Sequence, residues 1–150
     1  MTLPTSKPAI RIRHVEDFRF LVDFGPPLAE LAVDEAPPIG GGEGPFPEQL
    51  LLASVANCLV ASMVFALGKF RQNPRGVSAE ARCELGRNAE GRLRIQAIEV
   101  LISLDAEASE MDRIDRVLEQ FERFCTVSES VKRGVPVSVT VRDGAGRQLR

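Results

Sequence analysis

Pro47-Glu48-Gln49-Leu50-Leu51-Leu52-Ala53-Ser54-Val55-Ala56-Asn57-Cys58 is the stretch whose reading decides the fold. The run stays free of formal charge from Leu50 to Leu67, interrupted by Ser54, Asn57 and Ser62. Its apolar residues cover every side of a helix, the pattern of a helix enclosed by other protein or of a membrane span. A lone, marginal span would leave the strand patterns around it unexplained, so the expectation is the buried central helix of a soluble core. Pro47 suits an early helical position, where its missing amide hydrogen has no partner to lose. Glu48 then falls in the first turn, where a negative charge complements the helix dipole. The helix should run to about Phe70 and stop before Asn73-Pro74, because a proline disfavours helical backbone in the residue ahead of it.

Outward from this helix, the pattern changes to period two. Ile10 and Ile12 share one face, and Phe18, Phe20, Val22 and Phe24 share another, as in half-buried strands. Leu28 to Val33 reads as a third strand, followed by a loop of breakers from Pro37 to Pro45 that carries Gly40, Gly41, Gly42 and Gly44. Beyond the helix, Val77, Ala79, Ala81, Cys83 and Leu85 line one face of a strand, and Gly86 to Gly91 forms a polar hairpin loop. Leu93 to Leu104 continues as a strand whose apolar parity switches near Ala97, which implies a bulge or cover on both faces. Met111, Ile114, Val117, Leu118, Phe121 and Phe124 recur at helical spacing behind Ser109 as cap, and Cys125 should close that helix. Gly134 fits a helix stop, and Val135, Val137, Val139 and Val141 form a last strand. The expected fold is α+β, a single β-β-β-α-β-β-α-β domain over residues 1–150.

Composition narrows the chemistry. A net charge of -2 gives no basic face for tracking phosphates, so nucleic acid is not expected as a partner. The N-terminal residues lack the apolar core of a secretory signal, and the expectation is a cytoplasmic protein with no membrane partner. There the odd cysteine count implies reduced thiols, whose disulfides would be transient and chemical in purpose. The chain has 3 cysteines, 1 histidine and no tyrosine or tryptophan. Thiol chemistry is therefore nearly the only catalytic kind available. His14 is too isolated for a triad, no His/Cys spacing suggests a metal, and no cofactor is implied. The Gly40–Gly44 run lacks the lysine of a phosphate loop.

Each candidate has a plain reading beside the chemical one. Free cysteine usually just packs, and Cys58, Cys125 and Cys83 all sit in apolar patterns. Cys83, on the inward face of its strand, is expected to stay a core residue. A reactive Cys58 would need help, since the thiolate is the nucleophile and this residue lies too deep in its helix for the dipole. With a single histidine, the activating cation would be an arginine, held in place by a carboxylate through a two-point ion pair. Glu48 is either that carboxylate or an ordinary helix-start charge, and Arg19 is either that cation or a solvent-facing charge. Glu48 and Cys58 lie roughly 15 Å apart along one helix and about 80° apart around its axis. If both belong to one site, an arginine bridges them or Glu48 comes from a second subunit; the second is preferred, because an all-round apolar helix in a small domain is easier to cover twice than once.

Residues 40–58, Gly-Gly-Gly-Glu-Gly-Pro-Phe-Pro-Glu-Gln-Leu-Leu-Leu-Ala-Ser-Val-Ala-Asn-Cys, together with Cys125 ahead of Val127-Ser128 and the valine-rich last strand, resemble the OsmC/Ohr family of osmotically inducible and organic-hydroperoxide-resistance proteins. The resemblance implies an OsmC-like fold in an intertwined homodimer. It also implies a thiol-dependent peroxidase, in which Cys58 attacks an organic hydroperoxide and Cys125 resolves the sulfenic acid as an intramolecular disulfide. Glu48 would be the carboxylate and an arginine of the N-terminal strands the cation, with Arg19 and Arg13 both near the corresponding stretch. A dithiol reductant, such as a lipoyl-bearing protein, would reopen the disulfide. Thr126 stands where the family often has proline, and Val15-Glu16-Asp17-Phe18-Arg19 replaces a glycine-rich turn. The alternative is a non-enzymatic or weakly active dimer of the same fold that binds an apolar small ligand.

Overall fold

The computed structural model describes residues 7–134. These residues divide into two compact units: the chain up to Ser54 together with Glu80–Leu101, and Val55–Ala79 together with the chain from Ile102 onward. The elements are mixed α+β, as the periodicities require. The expected strand over Val135–Val141 lies outside the described residues.

In the first unit, β1 (Arg11–Glu16), β2 (Arg19–Asp23) and β3 (Leu31–Val33) form an antiparallel sheet in that order. Arg11 pairs with Asp23, Ile12 with Val22 and Arg13 with Leu21, and the register shifts between His14 and Glu16. The turn needs Asp17 at φ 46°, where the ring of His14 hydrogen-bonds the Asp17 carbonyl at 3.0 Å. Of the predicted aromatic face, Phe20 and Val22 turn inward, whereas Phe18 and Phe24 flank the strand and are exposed. The third strand is shorter than the Leu28–Val33 expected, since Leu28 lies in the turn that follows Gly25.

The glycine-rich loop that follows wraps a buried carboxylate. Asp34, 5% exposed, accepts hydrogen bonds from the backbone amides of Glu35 at 2.7 Å, Gly41 at 3.1 Å and Glu43 at 3.1 Å. A side chain at Gly40 would put its Cβ 2.4 Å from Asp34 Oδ1, and one at Gly44 would sit 2.4 Å from the Ala32 carbonyl. Backbone approach this close admits only glycine. The Glu43 amide first, with those of Glu35 and Gly41, holds the Asp34 carboxyl below its ordinary range.

The central helix α1 runs over Pro47–Lys69 with Glu48 in its first turn, as the sequence predicts. By length and composition it is long and apolar enough to cross a membrane, and 33% of its most apolar window is buried within this chain. Strands β4 (Val77–Arg87) and β5 (Leu93–Leu104) pair in a two-stranded sheet. The parity switch in β5 is visible as burial: residues up to Ala97 are exposed, and from Ile98 onward alternate residues are half-buried. The strand is continuous through Ala97. In the second unit, Met63, Ala66, Leu67, Ala106, Met111 and Val117 form the buried core.

The second helical region differs from its period. A helix from Ser109 to Cys125 is replaced by a 3₁₀ turn at Ala108–Glu110, α2 (Ile114–Gln120), a second 3₁₀ turn at Phe121–Phe124, and α3 (Thr126–Lys132). Glu107 and Glu110, not Ser109, make the capping box of the first turn. Cys125 does not end a helix: its backbone is extended at φ −82° and ψ 97°, and it caps the start of α3. Met111, Ile114, Val117 and Phe121 face the core through the broken segment while Leu118 and Phe124 are exposed, so period alone could not distinguish it from a continuous helix.

Candidate functional site

Helical spacing puts Cys58, Ser62, Phe65 and Lys69 along one face of α1. That face meets the end of α2 and the start of α3. Phe65 stacks edge-on against Phe124 with ring centroids 5.3 Å apart. Lys69 lies 5.5 Å from the Phe124 centroid and donates to Gln120 Oε1 at 3.1 Å. Cys58 and Cys125 lie close enough for each thiol to perturb the other.

The sulfurs are supported unequally. Cys125 is 0% exposed and accepts from the Ser128 amide at 3.4 Å. Ser62 of α1 and the Ser128 side chain also face this sulfur. The Ser128 hydroxyl is buried with no hydrogen-bond partner among the described residues. Cys58 is half-buried, and the amides of Val127 and Thr126 are directed at it. Successive amides at the start of α3 thus serve both thiols.

Burial pushes the Cys58 thiol above the ordinary cysteine value, and the neighbouring Cys125 adds to that; the Val127 and Thr126 amides oppose both. Burial acts upward on Cys125 too. There the Ser128 hydroxyl, Cys58, the Ser128 amide and Ser62 together outweigh it, and the net shift is downward.

The remaining predicted residues lie in the first unit or on β4. Arg19 is ion-paired with Glu43 and Glu16. The hydrogen bond from Glu43 first, and then the charge of Glu16, strengthens its hold on its proton. Glu48 is half-buried on α1 and enters no ion pair among the described residues. Arg13 pairs with Glu30 at 3.8 Å. Cys83 is half-buried on β4 and free. No cluster of three metal-ligating side chains occurs among the described residues.

Sequence reasoning missed Ser62, Ser128, Glu43 and Glu16. The serines had a signal: Ser62 lies one helical turn beyond Cys58, and Ser128 lies at the cap-to-third-residue spacing from Cys125. The Arg19 partners had none, since Glu43 reaches it from a loop shaped by Asp34.

A long apolar helix carries one cysteine, and a second caps the start of a later helix. The family model described as "OsmC-like protein" matches residues 40–140, and the chain belongs to that family. No curated protein matches the chain. Among solved structures, the OsmC-like protein from Mycoplasma pneumoniae is 16% identical with a TM-score of 0.71, covering 87% of this chain and 90% of that one. The organic hydroperoxide resistance protein OsmC from Legionella pneumophila is 17% identical with a TM-score of 0.65, covering 88% and 93%. An organic hydroperoxide resistance protein from Elizabethkingia anophelis is 15% identical with a TM-score of 0.66, covering 87% and 92%. At these identities the likeness establishes a shared fold.

Proposed function

We propose that this chain is a cysteine-based peroxidase that reduces organic hydroperoxides, with Cys58 as the attacking thiol and Cys125 as the resolving thiol. The observation that carries the reading is the neighbouring pair of cysteines, Cys58 half-buried and Cys125 fully buried, near the Phe65–Phe124 surface. The half-exposed sulfur can meet substrate, and the aromatic surface favours the organic part of a hydroperoxide over water. Attack forms a sulfenic acid on Cys58, which the nearby thiol condenses with before further oxidation. A dithiol of the lipoyl class then restores the pair by thiol–disulfide exchange. The setting is cytoplasmic, where such a disulfide is transient.

The active form is a homodimer in this reading. Only 33% of the most apolar window of α1 is buried by its own chain, and Val64 and Phe65 are exposed on it. A second copy supplies the cover, and with it a route for Glu48 to act on the partner's thiol site. Consumption of cumene hydroperoxide with a lipoyl dithiol tests the function: wild-type protein should turn over, and Cys58→Ser should not. Retained turnover in Cys58→Ser would reject the assignment.

One observation favours a second reading, an OsmC-like dimer that binds an apolar ligand with weak or no turnover. Arg19 is occupied by Glu43 and Glu16 instead of Glu48. Under that reading the Cys58 thiol stays intact in excess hydroperoxide.

A further inference from the structure

We propose that the open pocket at the C-terminal end of α1 binds a small phosphate-bearing molecule through Arg71, Arg113 and Lys69. This site is independent of the peroxidase chemistry above and stands even with an inert Cys58 thiol. The pocket has a volume of about 330 Å³ and is lined by Lys69, Phe70, Arg71, Gln72, Asp112 and Arg113. Three cations meet there against one carboxylate, in a chain whose formal net charge is -2.

Arg71 is held in a backbone conformation that its side chain disfavours. It follows the end of α1 at φ 56°, in the left-handed region. Its amide donates to the Gly68 carbonyl at 3.0 Å, and the Gln72 amide donates to the Leu67 carbonyl at 2.9 Å. These two bonds make a helix-ending motif whose left-handed position usually takes glycine, because a side chain there is strained. Strain of this kind persists where the side chain has a task. A cation near a helix end does complement the dipole, but Lys69 in the last turn already supplies one. The other arginine in this conformation, Arg75 at φ 60°, is ion-paired with Glu110. Arg71 and Arg113 enter no ion pair among the described residues.

Gln72 fixes the two walls of the pocket to one another. Its Nε2 donates to the Phe70 carbonyl at 2.7 Å, and its Oε1 accepts from the Arg113 amide at 3.2 Å. Lys69 donates one hydrogen bond to Gln120 Oε1 and keeps two N–H groups for a ligand. Two guanidinium forks suit the oxygens of a phosphate group, which accept hydrogen bonds in pairs. Asp112 then selects among oxyanions. Its carboxylate accepts from a ligand hydroxyl and repels an anion that has none. Inorganic phosphate near neutral pH carries such a hydroxyl, as does the polyol part of a glycerol or sugar phosphate, whereas sulfate carries none. The volume is in the range that holds a small organic molecule.

Calorimetric titration of the full chain with inorganic phosphate, glycerol phosphate and sulfate tests the site, with amide chemical shifts to locate binding. Both phosphates should bind saturably and shift the amides of Arg71, Gln72 and Arg113. Sulfate should bind more weakly by about tenfold, the size of one hydrogen bond to a charged group. Whichever phosphate binds tighter distinguishes a free anion from an organic phosphate as the ligand. Sulfate binding as tightly as phosphate would reduce the pocket to a diffuse positive surface and overturn the proposal, as would shifts confined to other amides. Arg71→Lys keeps the charge and the backbone strain, and should weaken phosphate binding by about tenfold, because an ammonium cannot make the two-point contact. Arg71→Gly should weaken it at least as much with a melting temperature no lower than wild type, because glycine relieves the left-handed backbone. Unchanged phosphate affinity in both variants would make Arg71 a helix-end residue alone and overturn the proposal.

Discussion

The Ser128 amide donates to the Cys125 sulfur at 3.4 Å, which makes a cysteine the cap of α3. The same sulfur faces the Cys58 thiol. One residue therefore joins the start of a helix to the neighbouring thiol. A hydrogen bond from a buried amide stabilises the anion of its acceptor, and burial removes the water that would compete.

Ser62→Ala should expose this coupling. It removes one donor from Cys125 and leaves the space nearly filled. The Cys125 titration should move up toward the ordinary cysteine value, by at most about one pKa unit, or roughly 1.4 kcal/mol. Thiolate absorbance in a Cys58→Ser/Cys83→Ser background measures it, and an unchanged titration would remove Ser62 from the site.

Assembly is open to a direct measurement. The uncovered surface of α1, with further exposed apolar side chains such as Leu101 at 63%, exceeds what isolated surface residues explain. Light scattering at low micromolar concentration should give the mass of a dimer. A stable folded monomer would remove both the dimer and the shared-site role of Glu48.

Glu48→Gln should slow Cys58 oxidation without unfolding the protein. The amide keeps the shape and loses the charge, and the helix start gives up about 0.3–1 kcal/mol of dipole interaction. The rate of Cys58 oxidation decides between the two readings of this residue: an unchanged rate makes Glu48 a helix-start charge and nothing more.

Asp34 gives the chain an acid-sensitive loop. Its carboxyl is held below the ordinary range, first by the Glu43 amide. A group depressed in the folded state contributes stability in full above its unfolded value near about pH 4. That contribution is lost as pH falls through the folded value. Asp34→Asn presents an amide NH₂ to at least one backbone N–H, so it should lower the melting temperature near about pH 7 and much less near about pH 3. Equal losses at both values would mean that the carboxylate charge is not what holds the loop.

Much of this architecture was legible because local pattern and tertiary role agree. The uncharged run from Leu50, with Pro47 ahead of it and Asn73-Pro74 behind, specifies α1 at both ends. Alternation found β1, β2, β4 and β5; burial alternates along β4, whereas β1 is exposed along its length among the described residues. The segment from Ser109 to Cys125 was misread because its apolar period survives two 3₁₀ turns that break its backbone. Of the candidate site, Cys58 and Cys125 were singled out through the family motif. The unequal support of their sulfurs was not, because it depends on which amides and hydroxyls the packing of α3 directs at each. Arg19 was singled out by position, but its partners Glu16 and Glu43 are set by the hairpin turn and the loop around Asp34.

The most direct test of the central claim is peptide mapping after the reduced protein meets about one equivalent of an organic hydroperoxide, enough for one sulfenic acid per site. Cys125→Ser, lacking a partner thiol, should stall as the Cys58 sulfenic acid or over-oxidise. The wild-type protein should yield a Cys58–Cys125 disulfide with Cys83 still a free thiol. A bond to Cys83, or an intact Cys58 thiol after excess peroxide, would contradict the account.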